Sequence, residues 1–167
     1  MQNIKANGQV INSSSIIVQG RINPGPDIVV EMNNTPAAIH GDKYVSGPVD
    51  IIEGPNDITI LERIGDTIVE EEIVTIILDS TAPLVQVIEP SPDSVHNNQN
   101  IPVSASVLDE GQVWVSINNL PVMRTRDVYE AVLHLSEGMN TIVITAVDYA
   151  GNRNEVVIEN VMVDITP

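Results

Sequence analysis

Three histidines, a surplus of carboxylates and a single tryptophan are the side chains here with chemistry to offer. His40, His96 and His134 are scattered, and none stands with a serine or cysteine in a recognisable nucleophile motif. The chain contains neither a glycine-rich phosphate loop nor an H-E-x-x-H pair. His134 sits between Leu133 and Leu135, so on an alternating strand it turns to solvent. Asp109-Glu110, and Asp127 with Glu130, supply paired carboxylates, but any acidic chain offers such pairs. The expectation is therefore a protein that is not an enzyme, without catalytic residues or an organic cofactor.

Calcium is the stronger chemical hypothesis, because it takes roughly six to eight oxygens at about 2.3 to 2.6 Å. Asp79 lies where the two halves of the chain meet, and Asp93, Asp148 and Asn152 lie in turns. Carboxylates of two adjacent modules can converge on such an ion and stiffen the joint. The competing reading is that these are ordinary turn acids, and no run resembles an EF-hand loop. No metal ligand is assigned; Ca2+ at the joint stays an open alternative.

Trp114 is the only tryptophan. Alternation points it away from Val113 and Val115, to the outer face of its sheet, and Val143, Thr145 and Val147 of a neighbouring strand share that face. Two readings stay open for these four residues. One is a surface tryptophan packed against its neighbours; the other is an apolar patch that meets a neighbouring module or a partner chain. A lone tryptophan can stack on a sugar, although a carbohydrate platform calls for a row of aromatics.

Composition removes other classes. Seven Lys and Arg against 23 Asp and Glu leave a net charge of -16. That field repels nucleic acid and anionic lipid, and no basic cluster makes an exception. Without cysteine there are no disulfides and no thiolate chemistry. No apolar run reaches the ~20 residues of a membrane span, and Met1-Gln2-Asn3-Ile4-Lys5 lacks the apolar core of a signal peptide. A secreted or cell-surface location thus requires a signal or anchor outside this fragment. Asn12-Ser13-Ser14 and Asn33-Asn34-Thr35 permit glycosylation and show nothing more.

The elements that would position these residues occur twice. Shifted by about 85 residues, the chain repeats itself. Asn33-Asn34-Thr35-Pro36 falls on Asn118-Asn119-Leu120-Pro121, and Asp42-Lys43-Tyr44 on Asp127-Val128-Tyr129. After a one-residue slip, Glu53-Gly54-Pro55-Asn56 meets Glu137-Gly138-Met139-Asn140. Asp79-Ser80-Thr81-Ala82-Pro83 returns as Asp164-Ile165-Thr166-Pro167, which suggests a piece of a longer array. The expected organisation is module one over residues 1–79, a linker over 80–83 and module two over 84–167.

Hydrophobic residues make up 43% and aromatics 2%, with no phenylalanine, so the cores must be aliphatic and branched. Branched side chains favour strands. In module two, strands are predicted over 84–88, 101–107, 112–118, 129–135, 141–148 and 155–163. Module one repeats them, with Ile16, Val18, Gly20 and Ile22 on one continuous second strand and Ile28, Val30 and Met32 on the third. Its first strand is short, and Glu70-Glu71-Glu72 reads as a solvated strand end. About seven strands in each copy predict an all-β pair of tandem immunoglobulin-like Greek-key sandwiches.

Two turns carry a resemblance. Glu137-Gly138-Met139-Asn140 and then Ala146-Val147-Asp148-Tyr149-Ala150-Gly151-Asn152 resemble the bacterial and archaeal immunoglobulin-like domains of surface proteins. These include the accessory domains of secreted glycoside hydrolases such as glucodextranase. The resemblance implies a sandwich fold and no particular function. It supports a structural or adhesive repeat segment of a secreted or cell-surface protein, with neighbouring modules or surface-array partners as its contacts. The alternative is an accessory, weakly glycan-binding region of a secreted carbohydrate-active enzyme.

Overall fold

The computed structural model describes residues 2–3, 7–23 and 25–166, and all regular structure in them is strand. The chain divides into two compact units, Met1–Ser80 and Thr81–Pro167.

Module two follows the alternation of its sequence closely. Its strands are β12 (Leu84–Glu89), β13 (Val95–His96), β14 (Asn100–Leu108), β15 (Val113–Ile117), β16 (Leu120–Val122), β17 (Arg124–Thr125), β18 (Val128–His134), β19 (Gly138–Asp148) and β20 (Arg153–Val163). They form two sheets, ordered β12-β14-β18-β17 and β13-β20-β19-β15-β16. Ile101, Val103, Ala105 and Val107 of β14 face Ile142, Ile144 and Ala146 of β19 in one core, with Val85, Tyr129, Ile158 and Val161. Burying each isoleucine stabilises the sandwich by about 1.5 to 3 kcal/mol.

Module one repeats the plan with β1 (Gln2–Asn3), β2 (Gln9–Ile11), β3 (Ser15–Ile17), β4 (Gln19–Arg21), β5 (Ile28–Met32), β6 (Thr35–Pro36), β7 (Ala38–His40), β8 (Lys43–Val45), β9 (Val49–Asp50), β10 (Gly54–Ile64) and β11 (Thr67–Leu78). The large sheet is ordered β2-β11-β10-β5-β6, like its counterpart. The facing layer differs, because it is split into β1-β3-β9 and β4-β8-β7. The strand expected to run unbroken from Ile16 to Ile22 is interrupted at Val18. Val18 N–H donates to Ser46 Oγ at 2.9 Å, and Ser46 N–H donates to Val18 O at 2.8 Å. A side-chain oxygen stands in for a ladder carbonyl there, and the buried hydroxyl is satisfied by donating to Gly47 O at 2.6 Å.

Glu70-Glu71-Glu72 also departs from expectation, lying inside β11 instead of at its end. The inward stripe of that strand runs Leu78, Ile76, Val74, Glu72, Glu70, opposite Gly54, Asn56, Ile58, Ile60 and Glu62 of β10. Apolar residues give way to glutamates while the period of two is kept, and every residue from Thr67 to Ile73 is exposed.

The turns are held by the same hydrogen bonds in both copies. Asn33 and Asn34 have φ of 46° and 65°, and Asn118 and Asn119 have 47° and 64°. Asparagine tolerates this left-handed region better than most residues. Asn33 Oδ1 accepts from Thr59 N–H at 2.9 Å, as Asn118 Oδ1 does from Val143 N–H at 2.8 Å. Asn56 Nδ2 donates to Ile52 O and Gly54 O, and Asn140 Nδ2 donates to Ser136 O and Gly138 O. Gly54 and Gly138 supply the positive φ inside those turns, 88° and 96°. The preceding glutamates hold the end of each module: Glu53 accepts from Ser80 N–H, and Glu137 from Ile165 N–H.

Candidate interaction surface

The outer face of the β15-β19-β20 sheet carries the four residues singled out in the sequence. Val143, Thr145 and Val147 alternate with buried Ile142, Ile144 and Ala146, so the pleat turns them outward. Trp114 is 51% exposed and lies directly opposite Val147. Thr145 is opposite Ser116, and Val143 is opposite Val157. Val143 stands four residues from Val147, about 14 Å away at about 3.4 Å per residue. Trp114 and Val147 are therefore brought together, whereas Val143 marks the far end of the row.

The residue that completes the patch is Tyr149. Its ring centroid is 6.3 Å from that of Trp114 with 26° between the planes, and it is 64% exposed. Near-parallel rings at that spacing attract one another beyond their burial. The signal in the sequence was parity: Tyr149 follows Val147 by two, and that alternation continues into the turn. Four aromatic residues occur in the chain. Tyr44 and Tyr129 are each buried in a module core, and the other two form this exposed pair.

A buried carboxylate holds the turn beneath the pair. Asp148 is 2% exposed, and its Oδ1 accepts from Gly151 N–H at 2.7 Å and Asn152 N–H at 2.8 Å. Its Oδ2 accepts from Asn152 Nδ2 at 2.8 Å. Asn154 Nδ2 donates to Pro83 O at 2.8 Å, so the same end of module two fastens its own first residues. Ser80 is held by Glu53, which places residues 80–83 partly in each unit.

The middle of the face is polar. Arg153 is opposite Val147, pairs with Glu155 and donates to Thr145 Oγ1 at 3.4 Å. Thr145 Oγ1 in turn donates to Glu155 at 3.3 Å. The face thus has an aromatic end, an ionic centre and an aliphatic far end formed by Val143 and Val157.

The acidic turn residues considered for calcium have other partners. Asp148 and Asn152 bind each other, and Asp93 Oδ1 accepts from Asn160 Nδ2 at 2.8 Å. Among the described residues, no three His, Asp or Glu side chains form a group that could hold a metal ion. His134 bonds to Asn100 Oδ1 at 3.1 Å and His96 to Ser94 Oγ at 3.0 Å, each through one ring nitrogen.

No family model matches the chain. Bacillopeptidase F of Bacillus subtilis (strain 168) is 25% identical over 148 residues, which cover 85% of this chain and 10% of that protein. The chain therefore spans about a tenth of the length of that curated relative. Among solved structures, the fibronectin(III)-like modules of Clostridium thermocellum CbhA match with a TM-score of 0.59 at 14% identity. That match covers 95% of this chain and 90% of theirs. A D1-D4 ectodomain fragment of ICAM-5 matches with a TM-score of 0.47 at 16% identity, over 96% of this chain and 46% of the fragment. The likeness to the CbhA modules shows the fold, an all-β immunoglobulin-like sandwich.

Proposed function

We propose that this chain is a non-catalytic, tandem immunoglobulin-like segment of a larger secreted or cell-surface protein, structural or adhesive in role. The observation that carries the reading is where the polar side chains go. Asn33, Asn56, Asn118, Asn140, Asp148, Glu53 and Glu137 are all directed to backbone at turns and module ends. Side chains committed in this way fix turns and are not free to act as acid, base or nucleophile. The exposed Trp114–Tyr149 pair is then the contact for a neighbouring module or an array partner, as aromatic anchors are at protein interfaces.

A second reading draws on the same pair. Two near-parallel exposed rings also suit a sugar face, which fits an accessory region of a secreted carbohydrate-active enzyme. Glycan-array screening of the full chain and of Trp114→Ala separates the two. The structural reading expects background signal from both proteins. Tight glycan binding that Trp114→Ala abolishes would overturn it.

A further inference from the structure

The outer face of the β15-β19-β20 sheet is ordered in rows, and the order is complementary to itself. Trp114, Val147 and Arg153 stand side by side across the three strands, and Ser116, Thr145 and Glu155 stand side by side in the next row. Val143 and Val157 follow, and Tyr149 lies beyond Val147 against the indole. Successive rows are about 7 Å apart, two residues along each strand. The two charges in these rows, Arg153 and Glu155, cancel, although the chain as a whole carries -16. Both side chains are open to solvent, 60% and 42% exposed. A face without net charge is where a second molecule of so acidic a protein approaches with least repulsion.

A second copy can be turned over about a two-fold axis that lies in this face, perpendicular to the strands and midway between the first two rows. Strands then run antiparallel across the contact, and the first row of each copy meets the second row of the other. Arg153 meets Glu155 of the second copy, and Glu155 meets its Arg153. Each arginine then lies between two glutamates, and the four charges close a ring. Trp114, a large side chain, meets the small Ser116. Val147 meets the methyl of Thr145, whose hydroxyl is already held by Glu155. One row further out, Tyr149 meets Val143. The pairing is isologous, so every contact is made twice. Module one gives the contrast, because its corresponding rows read Val29-Arg63-Ile68 and Glu31-Leu61-Glu71. The same operation there lays Val29 on Glu31, Arg63 on Leu61 and Ile68 on Glu71, an apolar residue against a charge in every place. Of the two faces, the one in module two fits itself.

We propose that module two pairs with module two of a second copy of this chain through this face, about that two-fold axis. The proposal rests on the reading of Trp114 and Tyr149 as a protein contact, and it names the partner. The aromatic pair supplies apolar area, and the ring of charges sets the register, so the copies meet in one orientation. The rows span about 15 Å by 20 Å. That is well below the roughly 800 Å² each partner gives to a standard interface, so the pair forms and parts reversibly.

The test is sedimentation equilibrium of the full chain, loaded from about 10 µM to about 1 mM, at about 0.15 M salt to screen the net charge. Monomer and dimer in exchange are expected, and Trp114 emission should shift to the blue as the dimer forms. Arg153→Glu sets glutamate against glutamate across the axis and should weaken the dimer at least about tenfold. Glu155→Arg should do the same with arginines. Mixed in equal amounts, the two variants should recover a dimer, since the glutamates of one meet the arginines of the other. Circular dichroism checks that each variant is folded, and an exposed ion pair contributes little to that. A wild type that stays monomeric throughout overturns the proposal. So does a dimer that neither substitution weakens, and so does a mixture that stays monomeric. In each case the reading of Trp114 as a protein contact survives; it fails separately, if glycans bind tightly and Trp114→Ala abolishes the binding.

Discussion

The ring of Tyr44 occupies the space that a side chain on Gly20 would need. A β-carbon at Gly20 would come within 2.6 Å of Tyr44 Cε1 and closer still to the hydroxyl oxygen. The two residues are paired across β4 and β8, and their counterparts in module two are Ala105 and Tyr129, also paired and both buried. One methyl group separates the two arrangements. Gly20→Ala should therefore destabilise module one by about 1 to 3 kcal/mol, the usual cost of overpacking a core. Far-UV circular dichroism in urea would register the loss. The fluorescence transition of Trp114, which lies only in module two, should stay where it was.

Module one should lose stability as pH rises, through two groups. Burial, and then the neighbouring charge of Glu70, raise the Glu62 carboxyl above its ordinary value of 4.5. Burial, followed by Glu72, Glu62 and Glu70, raises the Tyr44 phenol above its ordinary 10.0. In both cases the folded state binds more protons than the unfolded chain, so stability falls as pH climbs past the ordinary value. Thermal melts should show module one strengthening as pH drops through the glutamate range and weakening above pH 10.0. Glu62→Gln should flatten the acid limb alone. A module-one melting temperature that falls on acidification through that range would contradict the assignment.

Asp148→Ala should loosen the turn beneath the aromatic pair. It removes the acceptor for two backbone N–H groups and one side-chain amide at a site 2% exposed. Leaving donors of this kind without a partner costs about 1 to 3 kcal/mol each, less where water reaches them. The midpoint of the Trp114 fluorescence transition in urea should fall with little change in slope, and native emission should shift to the red as Tyr149 leaves the indole. Native emission identical to wild type would mean the turn does not hold the stack.

Asn56→Ala and Asn140→Ala should act alike, each on its own module. Each asparagine accepts from the N–H of the residue four before it and donates to the carbonyls four and two before it, and Asn140 Nδ2 also donates to Val161 O at 3.4 Å. A loss of about 1 to 3 kcal/mol is expected in one module with the other unmoved. Because the altered sites share no partners, the double variant should show the sum. A marked departure from additivity would mean that the modules do not unfold independently.

What could be read from the sequence was local. The doubled asparagines and the Glu-Gly-x-Asn turns announce themselves because the side chain bonds to backbone a few residues away. The alternation of β14 and β19 is equally plain, since each strand is covered on one face. Other features depend on distant parts of the fold. The break at Val18 is caused by Ser46, 28 residues further on. From sequence the glutamates of β11 read as a strand end, because three charges in a row conflict with a buried stripe. They are tolerated because the inward face there is exposed. In the sequence Tyr149 belongs to a turn, and its stacking on Trp114 needs β15 and β19 already in register.

In each module the ladder that joins an early strand to the last one is parallel: β2 runs alongside β11 at Ile76–Leu78, and β13 alongside β20 at Met162–Val163. Parallel neighbours carry the chain in and out in the same direction, so tension along the polypeptide slides these strands past each other. Their hydrogen bonds are then loaded side by side in shear, instead of opening one after another as in a peeled hairpin. A module tied in this way is expected to resist stretching through a cluster of bonds that must fail together.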